Sequence, residues 1–307
     1  MERGKLIVER VEGKSTLTRC FSKYPFKFIV PKKVAFSILF RLKIVSPFSN
    51  IVSFQHQVGS SQTDAVWIYT ITYGGGIVSG DSIAFDVTVA DGCNAVLTTQ
   101  SSTKVYKSIE SKCSEQVLEA SIGQDALLVV IPDPVTCFST ARYSQTQNFK
   151  LVTDSSLLLV DWITSGRHER GEKWAFSHYK STNRILLQPT QPLFLDTLLM
   201  QILLEQGSHG SIADRMNDYQ AIAMIVLLGP KLKHIQNQIE EDVRKIMSQR
   251  PSISSSKPNF IASCSRFGPK GMGVVIRVAS TTTEAIYNFL QHQLATMEEL
   301  LGAPPYR

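Results

Sequence analysis

Gly13-Lys14-Ser15-Thr16 is the first stretch of the chain whose residue types could hold a ligand. A phosphate loop needs another glycine five residues before the Gly-Lys pair and a buried strand ahead of it, so that successive backbone N–H groups cradle the phosphates. That position is Val8, so the four residues read as a turn between two N-terminal strands. Gly74-Gly75-Gly76 likewise misses a dinucleotide fingerprint: its closing position is Ser79, and a strand-like run follows where a helix is needed. Glycines beside a strand mark a bulge or a close backbone approach instead. Of the six histidines (His56, His168, His178, His209, His234, His292), no two stand at i, i+4 on a predicted helix, and none adjoins a cysteine at ligand spacing. A tight metal site with three or four convergent ligands is therefore not indicated.

The densest polar cluster is Thr164 to Phe176 (TSGRHERGEKWAF), with Arg167, His168, Glu169, Arg170, Glu172 and Lys173. It holds carboxylates, a histidine and arginines, the raw material of acid–base work. No nucleophile, water-activating metal or cofactor motif accompanies them, and no catalytic or cofactor-binding residue is assigned. The cluster reads as a solvated, ion-paired loop, or as a loop at an interface or cavity with Arg167 as a bidentate anchor. Pro132-Asp133-Pro134 is a rigid corner in which Asp133 either caps a turn or presents a carboxylate.

These segments must be positioned by strands. Ile83, Phe85, Val87 and Val89 alternate with Ala84, Asp86 and Thr88, a period of two with one buried face. Trp67–Thr72, Ala95–Thr99, Leu127–Ile131, Leu157–Trp162 and Arg184–Leu187 are short apolar or β-branched runs separated by turn residues. Strands this short and numerous, with little helix between them, predict a mostly β sandwich, barrel or β-helical stack and do not suggest βαβ units. Two amphipathic helices are expected near the C-terminus. Lys231–Gln249 aligns Leu232, Ile235, Ile239, Val243 and Ile246; Glu284–Leu301 aligns Ile286, Phe289, Leu290, Leu294, Met297 and Leu301 behind capping threonines. Arg250–Pro258 reads as a polar loop leading to a strand, Phe260–Arg266. Leu193–Glu205 is apolar nearly all round, leaving helix and strand pair both open. No repeat or boundary divides the chain, so residues 1–307 are expected to form a single domain.

The chain has 307 residues, 43% of them hydrophobic, enough for a sizeable core. Its formal net charge is +6 and its pI about 9.0, but the basic residues are dispersed. The densest cluster, Lys231–Lys233, is short and lacks interleaved aromatics, so nucleic acid is not the expected partner. An acidic protein surface fits such a charge equally well. Cys20, Cys93, Cys113, Cys137 and Cys264 are odd in number and contain no C-x-x-C pair, which speaks against a disulfide framework or zinc module. Residues 1–14 mix both charge signs, unlike a secretory signal. The longest apolar run, Ala221–Leu228, falls far below the roughly 18 residues of a membrane-spanning helix. A cytoplasmic protein without membrane attachment is the expectation.

Several segments occur in an order that closely resembles the urease accessory protein UreD family (UreH in some bacteria). They are Leu17-Thr18-Arg19 with Tyr24-Pro25-Phe26-Lys27; Tyr73-Gly74-Gly75-Gly76 with Ser79-Gly80-Asp81; and Thr98-Thr99-Gln100 with Thr103-Lys104-Val105-Tyr106. Pro132-Asp133-Pro134 follows, then Phe138 to Arg142 with Gln145, Asp161-Trp162 with Ser165-Gly166-Arg167 and Arg170-Gly171-Glu172, and Leu227-Leu228-Gly229-Pro230. Asn50–Asp64 and Leu193–Asp214 look added to a compact core, as in eukaryotic, fungal- or plant-like versions. The resemblance implies a β-helix-like stack and a non-catalytic scaffold. It implies bridging of the urease apoprotein to a UreF-like accessory protein and, through that, to a UreG-like GTPase, with nickel in transit. Asp133, Asp161 and Glu172 are then candidates for a weakly binding nickel path, and Arg167 and Arg170 for a partner interface. Gly74, Gly75, Gly76, Gly80, Asp81, Thr99, Gln100, Lys104, Tyr106, Gly166 and Gly171 are the structural residues of the matching motifs. A β-helical carbohydrate-active hydrolase or lyase is the alternative; it would need paired carboxylates in a groove, whereas the carboxylates here are dispersed.

Overall fold

A computed structural model of the chain describes residues 3–31, 63–187, 191–201, 211–248 and 258–306. His56, His209, most of Asn50–Asp64, the end of Leu193–Glu205 and most of Arg250–Pro258 lie outside the described residues. β1 (Gly4–Val11) and β2 (Lys14–Phe21) form a hairpin whose turn residues, Glu12 and Gly13, both take positive φ (50° and 77°). This is the turn read at Gly13-Lys14, and its backbone twist matches that of the flanking strands.

After β3 (Phe26–Ile29) the chain coils between two facing sheets. β4 (Val66–Thr72) lies in the second sheet, β5 (Ser82–Val89) in the first and β6 (Asn94–Thr99) in the second. A short β7 (Thr103–Val105) precedes β8 (Ser114–Ile122) in the first sheet and β9 (Leu127–Val130) in the second. A short β10 (Val135–Cys137) then precedes β11 (Arg142–Leu151), β12 (Ser156–Thr164) and β13 (His178–Leu187), again alternating. Within each sheet these coil strands pair in parallel: β5 with β8, β8 with β11, β11 with β13, and β4 with β6, β6 with β9, β9 with β12. The expected β-helix-like stack is thus formed.

Antiparallel strands finish the ends. β14 (Gln191–Gln201) pairs with β13, while β15 (Ala221–Leu228), β17 (Gly273–Ser280) and β16 (Phe260–Phe267) extend the second sheet in that spatial order. The described part of Leu193–Glu205 is therefore strand, belonging to the first sheet. A five-residue helix, α1 (Ile212–Met216), follows, with a capping box between Ser211 and Asp214.

The difference between the two sheets explains the sequence patterns. In β5, Ile83, Phe85, Val87 and Val89 are buried while the intervening residues lie on the outer face. β9, by contrast, is buried at all four positions, and β15 at seven of eight. The second sheet is covered on both faces, by the first sheet and by two helices, so its strands read as continuous apolar runs. The covering helices are α2 (Lys233–Ser248), entered through a 3-10 turn at Pro230–Leu232, and α3 (Thr283–Gln293). Leu232, Ile235, Ile239, Val243, Ile286 and Leu290 pack on Val96, Val129, Leu158, Val160 and Ile225. Each such side chain, fully buried, contributes about 1.5–3 kcal/mol. The Thr282 hydroxyl accepts from the Ala285 N–H, the capping expected of the threonine run.

The predicted Glu284–Leu301 helix is broken. After Leu294 the chain makes a 3-10 turn, Ala295–Met297, then a short α4 (Glu298–Leu301) that ends on Gly302 in left-handed conformation. The break brings Leu301 O within 2.9 Å of the Trp67 indole N–H, fastening the helical layer to β4.

Gly229, where β15 turns into the helical layer, has φ +98°, and a Cβ there would lie 2.2 Å from Ser155 O. Conformation and space both demand glycine. Gly229→Ala is expected to lose about 2–4 kcal/mol of stability, read as a fall in the denaturant midpoint at unchanged slope.

Candidate functional site

Between the sheets the core turns polar. On β11 the inward positions run Tyr143, Gln145, Gln147, Phe149, and on β13 Tyr179, Ser181, Asn183, Ile185, the two strands being paired in register. From the opposite sheet β12 sends in Asp161. Its carboxylate accepts hydrogen bonds from Gln145 Nε2 (2.8 Å), the Ser181 hydroxyl (2.5 Å) and Asn183 Nδ2 (2.7 Å). Gln145 also donates to Ser181 Oγ (2.9 Å) and accepts from the Tyr143 hydroxyl (3.2 Å), and Gln147 donates to Asn183 Oδ1 (2.9 Å). Burial pushes the Asp161 carboxyl above its ordinary range; the nearby Asp196 adds to this, and the hydrogen bonds oppose it. Among the described residues the hydrogen bonds to this carboxylate come from neutral amide and hydroxyl donors.

Asp161 borders a cavity of about 110 Å³. Thr98, Thr99, Gln100, Gln145, Gln147 and Asp133 also line it. Asp133, 5% exposed, donates its backbone N–H to Thr99 Oγ1 (2.8 Å) and accepts at Oδ1 from the Tyr287 hydroxyl (2.9 Å). The preceding carbonyl, Pro132 O, accepts from Trp162 Nε1 (2.8 Å) and the Tyr306 hydroxyl (3.0 Å). Trp162, Tyr287 and Tyr306 stack edge-to-face around this corner. The Pro-Asp-Pro corner is held by these bonds, and Asp133 is among the residues that line the cavity.

The remaining motif residues gather on adjoining loops. Tyr73–Gly75 form a 3-10 turn, and Gly76 approaches the next coil so closely that a Cβ would lie 2.7 Å from Lys104 O. This is the close approach expected of a glycine cluster. Tyr106 donates its hydroxyl to Gly74 O (3.0 Å) and stands edge-on to Phe138, ring centroids 5.2 Å apart. Asp81 accepts the Val78 N–H (2.8 Å), closing the turn that holds Gly80.

Arg167 lies over the Phe138 ring, 4.1 Å from its centroid, and makes a two-pronged ion pair with Glu172, Nε to Oε2 at 3.0 Å and Nη2 to Oε1. Glu172 Oε2 also accepts the Ser139 N–H (3.2 Å). Arg167 is thus a bidentate anchor, but its partner is within the chain. Arg170 is exposed on the 3-10 turn His168–Arg170, which Gly171 ends in left-handed conformation, and Gly166 packs against Cys137 O. Glu172 does not line the cavity. Among the described residues no three or more His, Cys, Asp or Glu side chains assemble into a metal-binding group, and all five cysteines are free. No helix among them is long and apolar enough to cross a membrane.

Sequence reasoning missed Gln147, Ser181 and Asn183. The available signal was an inverted alternation: strands with apolar ends whose inward middle positions are polar.

Arg167, through its hydrogen bonds, holds the Glu172 carboxyl below its ordinary range. A lowered folded value means stabilisation that is present above the unfolded glutamate pKa of about 4.3 and is lost as pH falls through the lower folded value. Glu172→Gln is therefore expected to be less stable than the parent at pH 7, by about 1–2 kcal/mol, and to converge on it in acid. Paired denaturant titrations between neutral pH and the folding limit check this; a gap that persists in acid would show that the ion pair is not its source.

Comparison with known proteins follows the same segments. The family model described as UreD urease accessory protein matches residues 2–307. The chain is 56% identical to urease accessory protein D of Arabidopsis thaliana, over 100% of both chains. It is 51% identical to urease accessory protein D of Oryza sativa subsp. japonica, over 99% of this chain and 94% of that one. It is also 32% identical to an uncharacterized urease accessory protein ureD-like of Schizosaccharomyces pombe, over 94% and 91%. A match across the whole stack, from the N-terminal hairpin to the C-terminal helices, places this chain in the UreD urease accessory protein family.

Proposed function

We propose that the chain is a non-catalytic maturation factor that bridges the urease apoprotein to a UreF-like accessory protein and, through it, to a UreG-like GTPase. In this reading nickel is cargo, passed to the urease site in a GTP-dependent, cytoplasmic step, and no cofactor stays bound. Family membership over residues 2–307 supports a role in urease maturation.

The observation that carries the finer reading is the setting of Asp161. A single carboxylate among amides and hydroxyls is a hard, oxygen-rich environment. It can accept a hydrated divalent ion but lacks the converging nitrogen and sulfur ligands that retain one. That suits transit, because nickel is outcompeted by copper at any strong open site. Asp133 is a second acidic residue lining the same cavity. Glu172, outside the cavity, would have to release Arg167 before touching a cation.

Deleting the gene in a urease-positive host is expected to leave abundant, nickel-poor, inactive urease, and re-expressing the chain to restore both nickel content and activity. Asp161→Asn, expressed at parental level, should restore activity less well by about tenfold, the low end of what a carboxylate supporting a metal site contributes. Fully active urease in the deletion strain, with no second copy of the gene, would overturn the assignment. Full rescue by Asp161→Asn would remove Asp161 from the path while leaving the assignment standing.

A further inference from the structure

Among the described residues each sheet ends in two edge strands, β14 and β2 in the first, β16 and β3 in the second. An edge strand offers a row of backbone N–H and C=O groups to any further strand, and proteins guard such edges with charge, short length or proline. Three of these edges are guarded. β2 exposes Lys14 and Arg19, β3 is four residues long and exposes Lys27, and β16 carries Arg266, paired with Glu240 of α2. β14 is the exception: it is 11 residues long, and its one ionisable side chain, Asp196, is taken by Arg277 of β17 at 2.5 Å.

The outer side of β14 is apolar where it meets solvent. Leu195 is 66% exposed and Leu199 48%, with Thr197 exposed between them. Their partners on β13 are Arg184, Lys180 and, for Thr197, Thr182. On the inner side Phe194 packs on Phe267, ring centroids 4.8 Å apart, and Met200 is buried.

Both ends of this edge are closed. At one end Pro192 has no N–H to give, and the register against β13 shifts between Ile185 and Leu186. At the other, Gln201 O accepts from Arg215 Nη2 (2.9 Å). What is left, residues 194–200, is centred on Thr197. An antiparallel copy placed about that centre sets Leu195 opposite Leu199, Phe194 opposite Met200, and Thr197 opposite itself. Asp196 falls opposite Leu198, so no charge meets its like. A two-fold interface requires this self-complementarity, and side chains directly opposite across such a pair are in contact.

We infer that β14 pairs antiparallel with β14 of a second copy of this chain about Thr197. The pairing joins the two first sheets into one and buries two Leu195–Leu199 contacts on its outer face. The inference goes beyond the maturation reading and does not depend on it. An edge of this length covers less than the ~800 Å² per partner of a standard interface, so the dimer is weak, with a dissociation constant on the order of tens of micromolar.

The test is sedimentation equilibrium of the purified full chain up to about 200 µM, well above that range. Two variants accompany the parent, each first checked for a parental thermal transition. Leu195→Glu with Leu199→Glu brings like charges together at both contacts, whereas Leu195→Glu with Leu199→Lys brings opposite charges together. Should the lysine beside Lys180 disturb folding, Leu195→Lys with Leu199→Glu presents the same opposite pair. The expected result is a dimerising parent, a double-glutamate variant at least about tenfold weaker, and an opposite-charge variant within about threefold of the parent that weakens as salt is added. A parent that stays monomeric throughout would overturn the proposal, as would a dimer that the double-glutamate variant leaves intact. Equal weakening of both variants would overturn the pairing about Thr197. A monomeric parent whose binding to urease apoprotein is lost in the double-glutamate variant would overturn it in favour of a strand from another protein.

Discussion

The second sheet has to be buried on both faces, and the rest of the molecule is arranged around that requirement. Its parallel strands are apolar on both sides, as at Leu127–Val130, all buried, so one face needs the first sheet and the other needs a separate cover. The cover arrives late in the chain, as α2 and α3. It is fastened at single polar points, Trp67 to Leu301 O and Tyr287 to Asp133. Among the described residues no helical layer covers the outer face of the first sheet, whose strands alternate and keep Asp86, Glu119 and Lys150 on that side.

Into this apolar frame the chain places a polar layer, and the two are compatible because the layer is internally satisfied. A buried carboxylate without a counter-ion is costly unless hydrogen bonds replace its lost hydration. Asp161 obtains such bonds from two neighbouring strands of the opposite sheet, β11 and β13, whose parallel register sets Gln145 beside Ser181 and Gln147 beside Asn183. A slip of that register by one residue would turn these groups outward and bring Ser144 and Thr146 in. The position of the polar layer is thus fixed by strand pairing.

How much of this was legible in the residues follows from the same physics. The alternation at Ile83–Val89 and the stripes at Leu232–Val243 were readable because each element has one apolar and one polar side. β11 was hidden because glutamines stand in the middle of its inner face, between Tyr143 and Phe149, and interrupt the apolar period of two. The helix break after Leu294 was invisible because Met297 and Leu301 continue the apolar spacing; what ends the helix is the fit of α4 over Trp67, a contact between residues 234 positions apart. Of the site candidates, Asp133 and Asp161 converge on one cavity, whereas Glu172 and Arg167 satisfy each other. No spacing in the sequence could separate those fates, because both outcomes depend on which coil lies next to which.

The motif vocabulary itself belongs to the loops. Gly76 leaves room for Lys104 O, Tyr106 reaches back to Gly74 O, Thr99 receives the Asp133 N–H, and Phe138 supports Arg167. Each of these contacts joins one coil to a neighbouring coil, and together they lock a row of loops along one edge of the stack. Loops tied to one another in this way hold their exposed rings and charges beside the polar interior. The most recognisable residues of the chain are thus occupied in holding its loops to one another, which is what the scaffold role proposed above would require of them.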